Sequence, residues 1–186
     1  DPNQIQKAAD KLKNSKQPII ISGGGVLYSE AEEEISAFAK KHNVPVTATV
    51  MGIGCMNKDD PYYISAIGCL GEGSSNNLAT DTDLALAVGT KLGDFTTGSW
   101  TNFENENFQL VSINTSRFDT TKHRATPVVS DAKIGLQELY KVLGDWKAPD
   151  VWYQRSIEER NKWDEYVAKE SGPTNQELPS YAHAVG

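Results

Sequence analysis

The residue types able to do chemistry gather in a few glycine- and threonine-rich stretches. "GTKLGDFTTGSW", residues 89–100, follows the apolar run "DLALAV" and brings Gly89, Thr90, Lys91 and Asp94 together. Such a loop can hold a phosphate, a sugar or a partner's side chain. A second stretch, Gly23, Gly24 and Gly25, follows "PIIIS". A glycine loop between a strand and a helix lets backbone N–H groups approach a phosphate, and it serves equally well as a tight turn. The dinucleotide fingerprint G-x-G-x-x-G is broken here by Tyr28, and no acid ends the following strand, where "TATV" stands. A Walker motif is absent too. The residues favour the tight turn over the phosphate site.

No catalytic set accompanies these loops. His42 sits at a predicted helix C-terminus, where a cation suits the helix dipole. His123 lies between Lys122 and Arg124 in a solvated run, and His183 lies near the end of the chain. Cys55 and Cys69 have no neighbour in sequence that would lower a thiol pKa, and their spacing is not that of a zinc site. The acid pairs Asp59–Asp60 and Asp81–Asp83 stand in turn-like contexts, where turn formation and capping account for them. No catalytic residue and no metal ligand set is expected.

The elements that must position these loops read as alternating strands and helices. Residues 4–14 place Ile5, Ala8, Ala9 and Leu12 on one helical face, with Asp1 and Asn3 as candidate caps. Residues 29–42 read as a helix capped by Ser29, acidic in its first turn and basic in its last. Residues 131–143 read as another, with Asp131 as N-cap and Ile134, Leu136, Leu139, Tyr140 and Leu143 apolar. A short helix is predicted over 75–81. Strands are predicted at 18–22, 44–50, 83–89, 108–114 and 126–131, with a sixth within "YYISAIG". Apolar runs without alternation point to strands buried on both faces. Strand–helix alternation implies right-handed crossovers and a mostly parallel sheet. The expected fold is therefore α/β, doubly wound, with five or six strands and helices on both faces. Ligands of such sheets sit beyond the carboxyl ends of the strands, which selects the loops starting at Gly23, Met51, Gly89 and Asn114. After Leu143, "GDWKAPD" reads as a linker, and residues 152–170 as a charged helix anchored by Trp152 and Trp163. "SGPTNQELPS" reads as a second linker. The expected division is a central domain over 1–145, then linker, helix and the start of a next domain over 146–186.

Composition narrows the function classes. The chain has 186 residues and a net charge of −7, with no basic run, so nucleic acid is not an expected partner. Two cysteines suit a reducing, cytoplasmic setting better than a disulfide framework. No apolar stretch is long enough to span a membrane, and the first residues lack the apolar core of a signal peptide. The chain opens without a methionine and closes at "SYAHAVG"; both ends suggest a segment of a longer protein.

"KQPIIISGGGVLYSEAEEEISAFAKKHNVPVTATVMGIG", "AIGCLGEGSSNNLATDTDLALAVGTKLGDFTTGSW" and "LVSINTSRFDTTK" together resemble the middle domain of thiamine-diphosphate enzymes of the acetolactate synthase type, a Rossmann-like domain. The resemblance covers residues 1–145, and "LPSYAHAVG" is similar to the opening of the diphosphate-binding domain that follows. The "DFTTGS" stretch resembles the trihydroxycyclohexanedione hydrolase branch of inositol breakdown more than the acetolactate synthases. The resemblance implies that the cofactor lies between the first and third domains of two subunits of a dimer or tetramer. A first-domain glutamate would activate it, and a Gly-Asp-Gly…Asn motif in the third domain would hold magnesium and the diphosphate. Neither stands here, since "LGDWK" lacks the second glycine. Thiamine diphosphate and magnesium are thus expected in the full-length enzyme but not on this segment, whose partners would be the other domains of its own chain. Middle domains of the family carry FAD, an ADP-type ligand or nothing. The flavin-binding form has a Gly-Ala-Arg-Phe-Asp-Asp-Arg loop, aligned here with Gly89 to Phe95. Asp94 is kept, while Lys91 and Phe95 replace the arginines. Asp119, Asp131, Ala132 and Gly23 to Gly25 match the rest of the pocket outline. Arginine and lysine are not equivalent for bidentate phosphate contact, so flavin is not expected, while weak adenine-nucleotide binding stays open. The alternative is an acetolactate synthase-like FAD- or ADP-binding regulatory domain.

Overall fold

A computed structural model describes residues 1–172 and 180–185. The chain runs α1 (Pro2–Asn14), β1 (Pro18–Ser22), α2 (Gly24–Tyr28), α3 (Glu32–His42), β2 (Val46–Ala48), β3 (Tyr63–Ala66), α4 (Gly73–Asp81), β4 (Leu84–Val88), α5 (Asp94–Thr97), β5 (Gln109–Asn114), α6 (Arg117–Thr121), β6 (Thr126–Val129), α7 (Ala132–Leu143), α8 (Asp150–Glu170) and α9 (Tyr181–Val185). The six strands form one parallel sheet in the order β3-β2-β1-β4-β5-β6. This is the doubly wound α/β fold. The order reverses between β1 and β4, and at such a switch point the loops diverge and leave a crevice.

Burial on both faces explains the apolar runs. Within β1, Ile20 belongs to the core packed with α1, α3 and α7, while Ile19 and Ile21 belong to the core packed with α4 and α8. Within β4, Leu84, Leu86 and Val88 face the first layer and Ala85 and Ala87 the second. The apolar stripe of α1, Ile5, Ala8, Ala9 and Leu12, is buried as its spacing requires, and the Asp1 carboxylate accepts from the N–H of Asn3. Asp131 caps α7 by accepting from the N–H of Ile134, although Ile134 itself is 53% exposed.

Three local expectations are corrected. Gly24–Tyr28 forms one helical turn after the first glycine, and Ser29 closes that turn instead of capping the next helix. Glu30 takes φ +50° and breaks the helix, so α3 starts at Glu32 behind the buried Ala31. The Ser29 hydroxyl is committed elsewhere, donating to the Asp131 carboxylate at 2.6 Å. His42 is fully buried, not a solvated cation at a helix end. Its Nδ1 meets the Trp146 carbonyl at 2.8 Å, its Nε2 has no partner, and burial, helped by Lys41, lowers its pKa. The neutral ring is a core group, packed among Phe38, Tyr140 and Trp146.

Helix α8 is tied to the domain along much of its length. Trp152 is buried and its Nε1 donates to the Pro18 carbonyl at 2.8 Å. Arg160 donates to the carbonyls of Lys58, Asp60 and Tyr63 at 2.8–3.0 Å. Glu159 is buried between Arg155, Lys162 and Asn77. Burial pushes its pKa up, but these partners outweigh burial and hold it at about 2. Trp163 lies against Gly73 at the start of α4. On the opposite side of the sheet, Gln4 accepts from the N–H of Val129 at 2.9 Å. The expected linker at 171–180 lies largely outside the described residues.

Candidate functional site

The predicted strand-end loops meet at the switch point. Gly23 donates to the Val88 carbonyl at 2.8 Å and Gly25 to the Gly89 carbonyl at 3.0 Å. A Cβ on Gly25 would stand 2.6 Å from the Gly89 Cα, and Gly89 itself takes φ +63°. The two loops therefore cross backbone to backbone, which only glycine permits. This packing accounts for Gly23, Gly25 and Gly89 without a ligand, and two of the three N–H groups in the glycine run are already used.

Above that crossing lies a crevice of about 920 Å3. Gly24 and Gly25 line it from the β1 side, and Gly89, Thr90, Lys91 and Asp94 from the β4 side. Met51 and Thr49 follow β2, Leu70 follows β3, and Lys122 and His123 follow β5. A smaller hollow of about 270 Å3 shares Gly25, Tyr28 and Gly89 and adds Asn114, Asp131 and Ala132. Asn114 braces the crossing from below, its side-chain amide donating to the Thr90 carbonyl at 3.2 Å. Asp119 lies on α6, outside the lining of both hollows. Its carboxylate is paired with Lys122 at 2.7 Å. That lysine hydrogen bond, then the one at Ser116, holds its pKa below the usual carboxylate range. Asp131 is held low by the Ser29 hydroxyl and by the helix N–H groups it caps.

Sequence reasoning did not single out the aromatic side of this site. The Trp100 and His123 rings pack with centroids 4.2 Å apart and planes tilted by 45°. Ser99, Trp100, His123 and Arg124 all take left-handed backbone, with φ between +54° and +70°. Such conformations in non-glycine residues are costly and cluster at functional sites. Partial desolvation and Lys122 lower the His123 pKa, against Asp94. The only signal available in the sequence was the nearness of "GSW" to a strand end, and a ring contact across 23 residues leaves no local pattern.

The arrangement is suited to holding a ligand with apolar and charged parts or a protein surface. It does not assemble a nucleophile and a base. Among the described residues no group of three His, Cys, Asp or Glu side chains could hold a metal ion. Cys55 is buried, with burial raising its pKa, and Cys69 is exposed; neither is in a disulfide. Asp60 and Asp83 serve as caps, Asp83 accepting from Ser15 and from the N–H groups of Lys16 and Gln17. No described helix is long and apolar enough to cross a membrane.

Comparison with known proteins places the chain in a family. The chain is similar to a 3D-(3,5/4)-trihydroxycyclohexane-1,2-dione hydrolase of Clostridium botulinum, 44% identical over 132 residues, which are 71% of this chain and 20% of that protein. The corresponding protein of Clostridium perfringens strain 13 is 35% identical over 166 residues, 89% of this chain and 26% of its own. That of Geobacillus thermodenitrificans is 32% identical across 98% of this chain and 30% of its own. The chain thus spans between a fifth and a third of the length of these curated relatives. The family described as thiamine pyrophosphate enzyme, central domain, matches residues 5–139. That match runs from the first turns of α1 through all six strands and into α7, and the chain belongs to the thiamine pyrophosphate enzyme central-domain family.

Proposed function

We propose that this chain is the central domain of a thiamine-diphosphate-dependent hydrolase that opens a cyclic 1,2-diketone in inositol breakdown. On its own it is not catalytic. It organises neighbouring domains and subunits of a cytoplasmic dimer or tetramer around a vestigial nucleotide-type crevice. The observation that carries this reading is a crevice at the β1/β4 switch point, lined by glycine backbone, by apolar side chains such as Met51, Leu70 and Phe95 and by the isolated charges Lys91, Asp94 and Lys122, with no nucleophile–base pair in that lining. The names of the relatives support the substrate class.

Thiamine diphosphate and magnesium do not fit the residues present. A diphosphate-bound magnesium ion takes one or two protein ligands beside phosphate oxygens and water, and the Gly-Asp-Gly…Asn motif that would supply them is missing, since "LGDWK" lacks the second glycine. No step of the reaction is therefore routed through this domain. An adenine nucleotide is the second reading. The crevice is within the size range of small-molecule sites, and Lys91 and Lys122 supply cations on its β4–β5 side. Each charge-assisted bond to phosphate contributes about 1.5–3 kcal/mol. Lys91 and Phe95 in place of arginines lower the retention of FAD from tight to marginal.

The test uses two proteins. The full-length enzyme should open trihydroxycyclohexanedione only with thiamine diphosphate and magnesium. Residues 1–186 alone should neither turn over nor bind thiamine diphosphate by calorimetry, and should show no flavin absorbance. Micromolar thiamine diphosphate binding by the fragment, or an inert full-length protein under these conditions, would refute the assignment.

A further inference from the structure

Left-handed backbone is concentrated at one place on this chain. Among the described residues, seven that are not glycine take positive φ, and four of these form two adjacent pairs. Ser99 and Trp100 stand at +54° and +70°, His123 and Arg124 at +56° and +59°. Asn43, by contrast, is a single residue that closes α3, a place that suits asparagine. L-residues tolerate the left-handed form singly, and asparagine and aspartate tolerate it best. Adjacent pairs built from serine, tryptophan, histidine and arginine lie outside that tolerance. Residues in such backbone persist where their surroundings over-determine them.

The two pairs meet each other. Trp100 lies in the connection from β4 to β5 and His123 in the connection from β5 to β6, and their rings pack with centroids 4.2 Å apart. The Trp100 side is anchored from several directions. The Ser99 N–H donates to the Asp94 carbonyl at 3.0 Å, and the Trp100 N–H to the hydroxyl of the fully buried Thr97 at 3.2 Å. Asn102 reaches Asn76 of α4 at 3.2 Å, and Trp100 leans on Phe103, which stacks on Phe108. The His123 side is held from its flanks. Lys122 pairs with Asp119 at 2.7 Å, and the Ala125 N–H donates to the Lys122 carbonyl at 3.0 Å. His123 and Arg124 themselves are exposed, so His123 can leave the Trp100 ring without uncovering the buried core. Lys122 and His123 line the crevice beside Asp94, Phe95 and Thr96, so the two connections stand together in one wall.

We propose that the Trp100–His123 contact is a strained latch between the β4–β5 and β5–β6 connections. Closed, it holds both in left-handed backbone and keeps Lys122 and His123 in the crevice wall. Parted, it frees Ser99, Trp100, His123 and Arg124 to return to ordinary backbone, and the wall loosens. The backbone cost opens the latch and the ring contact closes it. Because both pairs depend on one contact, the two connections change state together. Packed contacts of this kind have discrete arrangements, not a continuum of them.

Amide hydrogen exchange of the full-length protein tests this, read by mass spectrometry on peptides over 98–103 and 122–126. Trp100→Leu should speed exchange several-fold over 122–126, and His123→Ala should do the same over 98–103. Each acts on a connection that does not contain it. The double variant should add little to either single one, as expected of two groups that share one contact. Strain is read separately. Arg124→Gly keeps both rings and installs a residue that takes left-handed backbone freely, so it should slow exchange several-fold in both peptides. An unstrained contact predicts the reverse, because glycine gives the parted state more backbone freedom. The peptide over β4, Leu84–Val88, reports that the fold is kept. Should Trp100→Leu disturb it, His123→Ala and Arg124→Gly, both at exposed positions, carry the test alone. Variants that loosen only their own connection overturn the latch. So does faster or unchanged exchange in Arg124→Gly.

Discussion

Protonation of His42 should govern the stability of this domain near neutral pH. The imidazole is fully buried, with Nδ1 against the Trp146 carbonyl and Nε2 without a partner. A second proton on that ring would put a charge among Phe38, Tyr140 and Trp146, beside the Lys41 ammonium. Its folded pKa is therefore depressed below the ordinary 6.5. A depressed pKa gives stability that is fully present above the unfolded value and is lost as pH falls toward the folded one. At pH 5.5 an unfolded histidine is almost wholly protonated while the folded one resists. Linkage then removes up to about 1.4 kcal/mol between pH 7.5 and 5.5. With a urea dependence of about 1–3 kcal/mol per molar, the midpoint should drop by up to about 0.5–1.4 M. Asp119, Asp131 and Glu159 are depressed carboxylates, so their own losses fall at lower pH. The assay is urea unfolding of residues 1–186 at the two pH values, for the parent and for His42→Gln, which keeps a donor for Trp146 but does not titrate. Equal pH losses in the two proteins would refute the reasoning, because the surface histidines are common to both.

Gly25→Ala should cost about 1–3 kcal/mol by overpacking, since its new Cβ meets Gly89 backbone at 2.6 Å. Gly93→Ala, whose nearest neighbour is a lysine side-chain carbon at 3.8 Å, should stay within about 0.5 kcal/mol; similar urea midpoints for the two variants would contradict the crossing. Glu159→Gln should lose about 1.5–3 kcal/mol of charge-assisted bonding at neutral pH. It should also flatten the acid limb, because the parent loses this contribution as pH falls from 4.5 to about 2. Parallel acid limbs, followed by circular dichroism, would remove Glu159 from the account.

The sheet was legible because parallel strands buried on both faces leave unbroken apolar runs, and "PIIIS", "LALAV" and "QLVSI" carry that signature. The caps Asp1 and Asp131 were legible for a similar reason: a short acceptor before an amphipathic run has few other uses. Ser29 misled because its hydroxyl is taken by Asp131, 102 residues away, and not by its own helix. His42 misled because nothing in "AKKHN" shows that Trp146 and Tyr140 fold over it. The crevice loops were placed by topology. Their apolar side chains were not, since exposure of Tyr28, Leu70 or Phe95 depends on which loops converge. The Trp100–His123 ring contact joins two loops from different strands, and no local periodicity encodes it.

The hydrogen bonds made by Arg160 and Gln4 have a consequence for self-association. In this sheet β3 and β6 are the outermost strands, and each offers an unpaired backbone edge of the kind that recruits further strands into aggregates. Arg160 occupies the Tyr63 carbonyl on one edge. Gln4 takes the Val129 N–H on the other, where Pro127 has already removed a donor. Both borders are thus closed by side chains from helices outside the strands themselves. A strand added from a neighbouring molecule would have to displace Arg160 of α8 or Gln4 of α1 from these backbone groups, so both helices oppose lateral β-polymerisation.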